Sequence, residues 1–386
     1  MSESRPTACI AYFVSRVWAQ AFFEVRNTQY HYRHLAGSMI PSFDLVSPSG
    51  NRQSAIRRYR RRYETELFEN VLPFWTTHSP DPDHGGYLNC LDRTGAPYDT
   101  TKYSWLQGRQ AWLFSVLYRE VETRDDWLAL ARSGITFLRD NALRPNGQVF
   151  FSLTREGAPV YQQRKIFSEC FYVMALAAYA RAADRPALLD EAETELERIW
   201  DWAYDWSKVG RPVHEGQPEA QQLAVPMILL NLIEVVAGDD ADRYAAEVDD
   251  CIRRVRRHVD RDAELVLETV RPDGSRLAGS DGRLLTPGHA IEAGWFLQHW
   301  ARRLDRPDLS ALATNMVRWS FETGWDDEHG GGFGYLDREG RPTHEQKGAP
   351  YKGCFHVPRG LLLCWQLLRT LETTDPGPAE GGASAR

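Results

Sequence analysis

Apolar positions in this chain recur at helical spacing in long segments, and short polar turns separate the segments. Ala111–Glu120 and Cys170–Ala183 are apolar and rich in good helix formers, and Ala224–Val236 carries Leu and Ile at helical steps. Nowhere does a strict apolar/polar alternation persist, so the pattern predicts helices joined by turns rather than a sheet.

The turns repeat. Leu91-Asp92-Arg93-Thr94-Gly95-Ala96-Pro97 returns as Leu153-Thr154-Arg155-Glu156-Gly157-Ala158-Pro159 and as Leu336-Asp337-Arg338-Glu339-Gly340-Arg341-Pro342. A base follows each proline five residues on, at Lys102, Arg164 and Lys347. Val270-Arg271-Pro272-Asp273-Gly274 is a fainter copy, and Gly210-Arg211-Pro212 falls between the second and the fourth. The spacing of about 60 residues fits a two-helix hairpin whose loop carries a β-turn. R-x-G-x-P supplies a glycine for positive φ and a proline that ends pairing. Each hairpin has an apolar face that only its neighbours can cover, so the hairpins should stack into a ring with their loops gathered at one end.

Composition narrows the reading. The 386 residues carry a net charge of -7, which argues against nucleic acid, whose phosphates need a basic face. No stretch is long and apolar enough to span a bilayer. The six cysteines form no CxxC pair or Cys/His metal spacing and read as reduced thiols in a cytoplasmic protein, with a disulfide framework as the alternative. Residues 1–55 show no clear period and read as a loosely attached extension, with Met39 as an alternative start. Residues 56–373 form the helical domain, and 374–386 read as a disordered Gly/Pro/Ala-rich tail.

Four stretches crowd polar groups beside glycine and aromatics: KYSWLQGRQAW at Lys102–Trp112, IFSECF at Ile166–Phe171, PGHAIEAGWF at Pro287–Phe296 and KGAPYKGCFHVPR at Lys347–Arg359. With Ala224-Val225-Pro226-Met227 and two DxxHGG turns, at Asp81–Gly86 and Asp326/Asp327–Gly331, they resemble the N-acylglucosamine 2-epimerase family, also called renin-binding proteins. The resemblance runs from Tyr63 to Leu368. It implies an (α/α)6-barrel toroid, generally dimeric, that interconverts N-acetylglucosamine and N-acetylmannosamine without a metal or required cofactor. It further implies ATP as an activator in several members and a renin-like protein partner.

The chemistry accounts for the residue types. Epimerisation at C2 of an open-chain aldose removes the proton α to the carbonyl and returns one to the opposite face. Two bases astride a planar enolate suffice, and histidine suits because its pKa lies near working pH. The resemblance places that pair at His289 and His356, with Arg109 and Arg359 stabilising charge on the carbonyl oxygen. Glu292, three residues after His289, lies on the same helix face and is expected to orient or charge-tune that imidazole. Tyr103, Trp105, Gln107, Glu169 and Trp295 are the candidates for sugar binding. His84 and His329 read as structural members of Gly-Gly turns, His258 and His299 have no supporting context, and Arg57–Arg62 reads as a solvated helix face.

One departure stands out. The family carries a further hairpin between GHxxEAGW and the last turn, with a Lys-x-Trp-Trp-Pro-x-x-Glu stretch whose Glu is another site carboxylate. Here WDDEHGGG at Trp325–Gly332 runs straight into Phe333-Gly334-Tyr335-Leu336. The expectation is a toroid one hairpin short, with the neighbouring helices exposing an apolar patch. Natural shortening, a skipped stretch of coding sequence and an inactive relative are the three explanations. The rival functions are a sugar- or partner-binding protein without turnover, a neutral-sugar 2-epimerase or isomerase, and a glycoside hydrolase using Glu169 and Glu292 as its carboxylate pair.

Overall fold

The computed structural model describes residues 52–328, 332–343 and 354–374. Most of the expected N-terminal extension, His329, Lys347 and nearly all of the expected tail lie outside them. The first helix already begins at Arg52, just ahead of the expected boundary at 56.

Eleven α-helices are present among the described residues. They are α1 (Arg52–Thr65), α2 (Leu72–His78), α3 (Ser104–Glu120), α4 (Asp125–Asn141), α5 (Phe167–Ala182), α6 (Pro186–Trp202), α7 (Ala224–Ala237), α8 (Ala245–Arg257), α9 (Pro287–Arg303), α10 (Pro307–Gly324) and α11 (His356–Thr374). None is long and apolar enough to cross a membrane. A single π turn, Glu66–Val71, links α1 to α2.

Burial divides the helices into two layers. α3 is buried almost without interruption from Ser104 to Leu117, α5 from Ser168 to Ala180, and α7 from Ala224 to Ile233. Helices covered on every side are core staves. α4, α6 and α8 bury a single stripe, such as Val248, Cys251, Ile252 and Val255 of α8, and face solvent elsewhere. α3, α5, α7 and α9 pack in sequence as the inner layer, α10 backs α9, and α11 packs against α1. At Gly108 a Cβ would lie 2.4 Å from the Phe171 carbonyl oxygen, so α3 and α5 approach more closely than any side chain allows.

The repeated turn appears as the sequence predicts. In each copy the second residue donates its N–H to the carbonyl of the residue four later: Asp92 to Ala96 at 2.8 Å, Thr154 to Ala158 at 2.8 Å, Arg271 to Ser275 at 2.9 Å and Asp337 to Arg341 at 2.9 Å. Gly95, Gly157, Gly274 and Gly340 all take positive φ. Arg144–Gln148 forms the same turn with Gly147 at φ 85°, a copy that the sequence motif did not reveal.

Short antiparallel ribbons line this end. They are β1 (Cys90–Leu91) with β2 (Pro97–Asp99), β3 (Lys102–Tyr103) with β4 (Ser152–Leu153) and β5 (Pro159–Tyr161) in one sheet, β6 (Gln221–Gln222) paired with β9 (Thr269–Val270), and β7 (Val259–Asp260) paired with β8 (Leu265–Val266). A buried network locks three of the loops. Lys102 donates to the carbonyls of Gly85 and Arg155 at 2.6 and 2.8 Å and lies 2.9 Å from Asp81, which Arg155 grips through two nitrogens. Asp81 holds that turn by accepting from the backbone N–H of Asp83 and His84, and the His84 side chain is exposed.

After α10 the chain turns back at once. Trp325 bridges to Gly332, and Phe333 donates to Gly324 at 2.8 Å. Leu336 then pairs with Leu285 ahead of α9. The expected apolar patch does not appear among the described residues. The stripe Leu309, Leu312, Met316 and Val317 of α10 is buried, and so are Leu361, Leu362, Cys364, Trp365 and Leu368 of α11.

Candidate functional site

α9 has one incompletely covered stripe, and it carries chemistry. His289, Glu292, Trp295 and His299 are half-buried and separated by three- and four-residue steps, so they line up on one helix face, with Gln298 half-buried beside His299. α11 enters opposite with His356 at its first residue and Arg359 one turn later. α3 contributes Arg109.

These groups converge on Glu292. Arg359 donates to Glu292 Oε1, and His356 Nδ1 lies 3.7 Å from the same oxygen. The histidine side chains keep 40% (His289) and 32% (His356) of their surface, enough for both rings to be reached. Burial acts to raise the Glu292 pKa, but the charges of His356, Arg359, His289 and Arg109 prevail and pull it down to about 2. It is a carboxylate at any working pH.

The arginines are walled by aromatic rings. The Arg109 guanidinium lies 4.0 Å from the Phe171 ring centre and 5.0 Å from that of Trp105, and Arg359 lies 4.2 Å from Phe355 and 5.2 Å from Trp295. Burial pulls Arg109 down to about 9, with Glu292 opposing and the like charge of Arg359 assisting. It remains a cation at neutral pH.

His289 is held by a carboxylate that the sequence motifs do not include. Its Nδ1–H donates to both oxygens of Glu268, at 3.1 and 3.0 Å, while Glu292 acts on it through its charge. The physical reason is reach. The segment before β9 passes over the first turn of α9, while Arg359 and His356 occupy Glu292. Burial acts to lower the His289 pKa, and the Glu268 carboxylate outweighs it, so the net shift is upward.

Not all the expected sugar-binding residues gather here. Trp105 and Trp295 touch the arginines, and Tyr103 stacks edgewise on Phe151 next to Trp105. Gln107 does not join them. It is fully buried, accepts from the Tyr87 N–H at 2.8 Å and donates to the Tyr87 carbonyl at 2.7 Å and to Asn89 at 3.1 Å. Glu169 also stands apart. It accepts from the Val149 N–H at 2.9 Å, and burial pushes its pKa up to about 7, with Glu195 of outer helix α6 adding to the rise. A hydrolase pair of Glu169 and Glu292 therefore has no geometric support, because only Glu292 is in the cluster. His258 is a buried core histidine between Gln221 and the Leu267 carbonyl, its pKa pushed down to about 4 by burial. Among the described residues no three His, Cys, Asp or Glu side chains are placed to hold a metal ion.

Comparison with known proteins gives this arrangement its context. The family model described as N-acylglucosamine 2-epimerase (GlcNAc 2-epimerase) matches residues 86–349. The human N-acylglucosamine 2-epimerase is 36% identical over 401 residues, covering 84% of this chain and 93% of the relative. Its mouse counterpart is 35% identical over 404 residues, covering 85% and 96%. Since 84% of 386 residues is about 324, roughly 77 of the 401 aligned positions have no counterpart here, a little more than one hairpin of the repeat. Among solved structures, a cellobiose 2-epimerase from Bacillus thermoamylovorans superposes with a TM-score of 0.64 at 16% identity, covering 81% of this chain and all of that one, which shows the α/α-barrel fold. The match across residues 86–349 and the identity to the mammalian enzymes together establish that the chain belongs to the N-acylglucosamine 2-epimerase family.

Proposed function

We propose that this chain interconverts N-acetylglucosamine and N-acetylmannosamine by moving the C2 proton of the ring-opened sugar between His289 and His356. The observation that carries the reading is the convergence of both histidines and both arginines on Glu292, with aromatic rings packed on the guanidiniums. One neutral imidazole takes the C2 proton, and the electron pair moves through C1 onto the carbonyl oxygen as an enolate. Arg109 and Arg359 stabilise that oxygen, a contribution typically worth about 10²–10³ in rate per donor. The opposite imidazolium then protonates the other face of C2, the carbonyl re-forms, and the configuration is inverted. Trp105, Trp295 and Tyr103 offer flat faces to the sugar.

The test is conversion of N-acetylmannosamine in D2O. Deuterium should enter C2 of the product, and His289→Asn and His356→Asn should each abolish conversion, leaving at most exchange of the one epimer whose C2 proton faces the remaining histidine. Undiminished exchange of both epimers in either variant would sink the two-base reading. Faster turnover of mannose or cellobiose than of N-acetylmannosamine would favour a neutral-sugar enzyme instead.

A second reading, a catalytically weakened sugar- or partner-binding relative, draws on the roughly 77 aligned positions without counterpart. Inserting the relatives' hairpin ahead of Phe333 should then raise turnover and thermal stability together, and equal rates for the two chains would exclude it. The five described cysteines, all buried and free, agree with the cytoplasmic location included in the proposal. Homodimerisation, activation by ATP and a renin-like partner enter it from the family alone. Sedimentation and kinetics with and without ATP test the first two, and a binding assay with purified renin tests the third.

A further inference from the structure

We infer that Glu268 is the positioning residue of His289, fixing its tautomer and ring plane so that Nε2 is the nitrogen presented to the sugar. This rests on the two-histidine reading above and adds to it a residue that no motif of the chain singles out.

The geometry is specific. Both carboxylate oxygens lie within 3.1 Å of Nδ1, and the Glu268 side chain keeps only 10% of its surface. Its backbone is pinned on both sides. The Leu223 N–H, at the start of α7, donates to the Glu268 carbonyl at 2.9 Å, and the Glu268 N–H donates to Leu284 at 3.3 Å. The next two residues form β9 against β6. The carboxylate is thus carried on a ribbon tied to α7 and to the approach of α9, and it cannot drift while those helices stay packed. An ionised carboxylate only accepts, so Nδ1 must carry a proton and Nε2 is left for the substrate.

The charges around the pair fall as follows. Glu268, Glu292 and Arg109 act on His289. Around Glu268 lie His289, the Lys165 ammonium and His258, the last neutral at working pH. Arg109 opposes an imidazolium at 289 and Glu292 favours it, but Arg359 and His356 already share Glu292. Removing the Glu268 charge therefore removes the counter-ion that offsets the burial of His289.

Glu268→Gln separates charge from shape, since the amide oxygen can still accept from Nδ1–H. Glu268→Asp keeps the charge, and Glu268→Ala removes charge and hydrogen bond together. The His289 ring, followed by NMR in ligand-free protein, should titrate at lower pH in Glu268→Gln and return toward the wild-type value in Glu268→Asp. The limb of kcat/KM that His289 sets, acidic where it is the base and alkaline where it is the acid, should move the same way, with kcat in Glu268→Ala falling roughly 10-fold or more. An unchanged His289 titration in Glu268→Gln, or a loss of activity equal at every pH without movement of the limb, would overturn the assignment. If wild-type protein epimerises neither amino sugar, the proposed function fails, and the NMR titration still decides the role of Glu268.

Discussion

Arg359 donates to Glu292, tying the start of α11 to the middle of α9 at the point that both histidines face. The guanidinium is nearly buried, with 6% of its side chain exposed, and Glu292 keeps 21%. The pair therefore joins two jobs, closing the inner layer and organising the site.

Glu292→Gln tests both. It leaves a buried guanidinium without its counter-charge, a change that costs about 3–5 kcal/mol in such pairs, and it should lower kcat roughly 100-fold or more, because Arg359 loses its anchor. The pH dependence has a defined sign. A carboxyl lowered from 4.5 to about 2 contributes stability that is present above pH 4.5 and lost as pH falls toward 2. Melting temperatures of wild type and Glu292→Gln should thus differ most at neutral pH and converge near pH 2. A gap independent of pH would contradict the ion pair.

Glu169 behaves oppositely. Its carboxyl is raised from 4.5 to about 7, so its stabilising protonated form is complete below pH 4.5 and lost as pH rises through 7. Glu169→Gln should match wild type near pH 5 and melt higher at pH 8. Because Glu169 accepts from the Val149 N–H and is not among the groups that act on Glu292, epimerisation should change by less than about 3-fold. A large kinetic defect with unchanged stability would return Glu169 to the sugar-binding set.

Lys102→Met addresses the loop network. Lys102 and Asp81 expose none of their side-chain surface, and removing the ammonium should cost about 3–5 kcal/mol in urea denaturation. Arg155 still holds Asp81 in that variant. The double change Asp81→Asn with Lys102→Met should lose less than the two single changes summed. Strict additivity would mean that the two groups do not interact.

The parts of this molecule that were legible in its sequence are those where chemistry is local. Gly95, Gly157, Gly274 and Gly340 announce their turns because the left-handed backbone must be met at that residue. His289, His356, Arg109 and Arg359 were found through motifs that each lie within one helix or its first turn. Glu268 was not, since its bond to His289 spans 21 residues and depends on how a ribbon crosses a helix end. Gln107 misled for the converse reason. It belongs to a motif-rich helix but points at the backbone of Tyr87, where its polar atoms are spent. The lost hairpin was readable as a gap in the repeat, yet the burial of the flanking apolar faces follows from packing that no periodicity encodes.

The pairing of α1 with α11 also governs when the molecule can finish folding. Tyr59, Tyr63 and Leu67, near the beginning of the described chain, await Cys364, Trp365 and Leu368 near its end, and Phe68 meets Trp365 ring to ring at 5.1 Å. A ribosome releases those partners some 300 residues apart, so closing this contact is among the last and entropically most demanding events of folding. His356 and Arg359 arrive with the same helix. A nascent or truncated chain can therefore assemble most of its helices and still lack one base, one guanidinium and the counterpart of Glu292, and catalytic competence switches on only when the final helix docks.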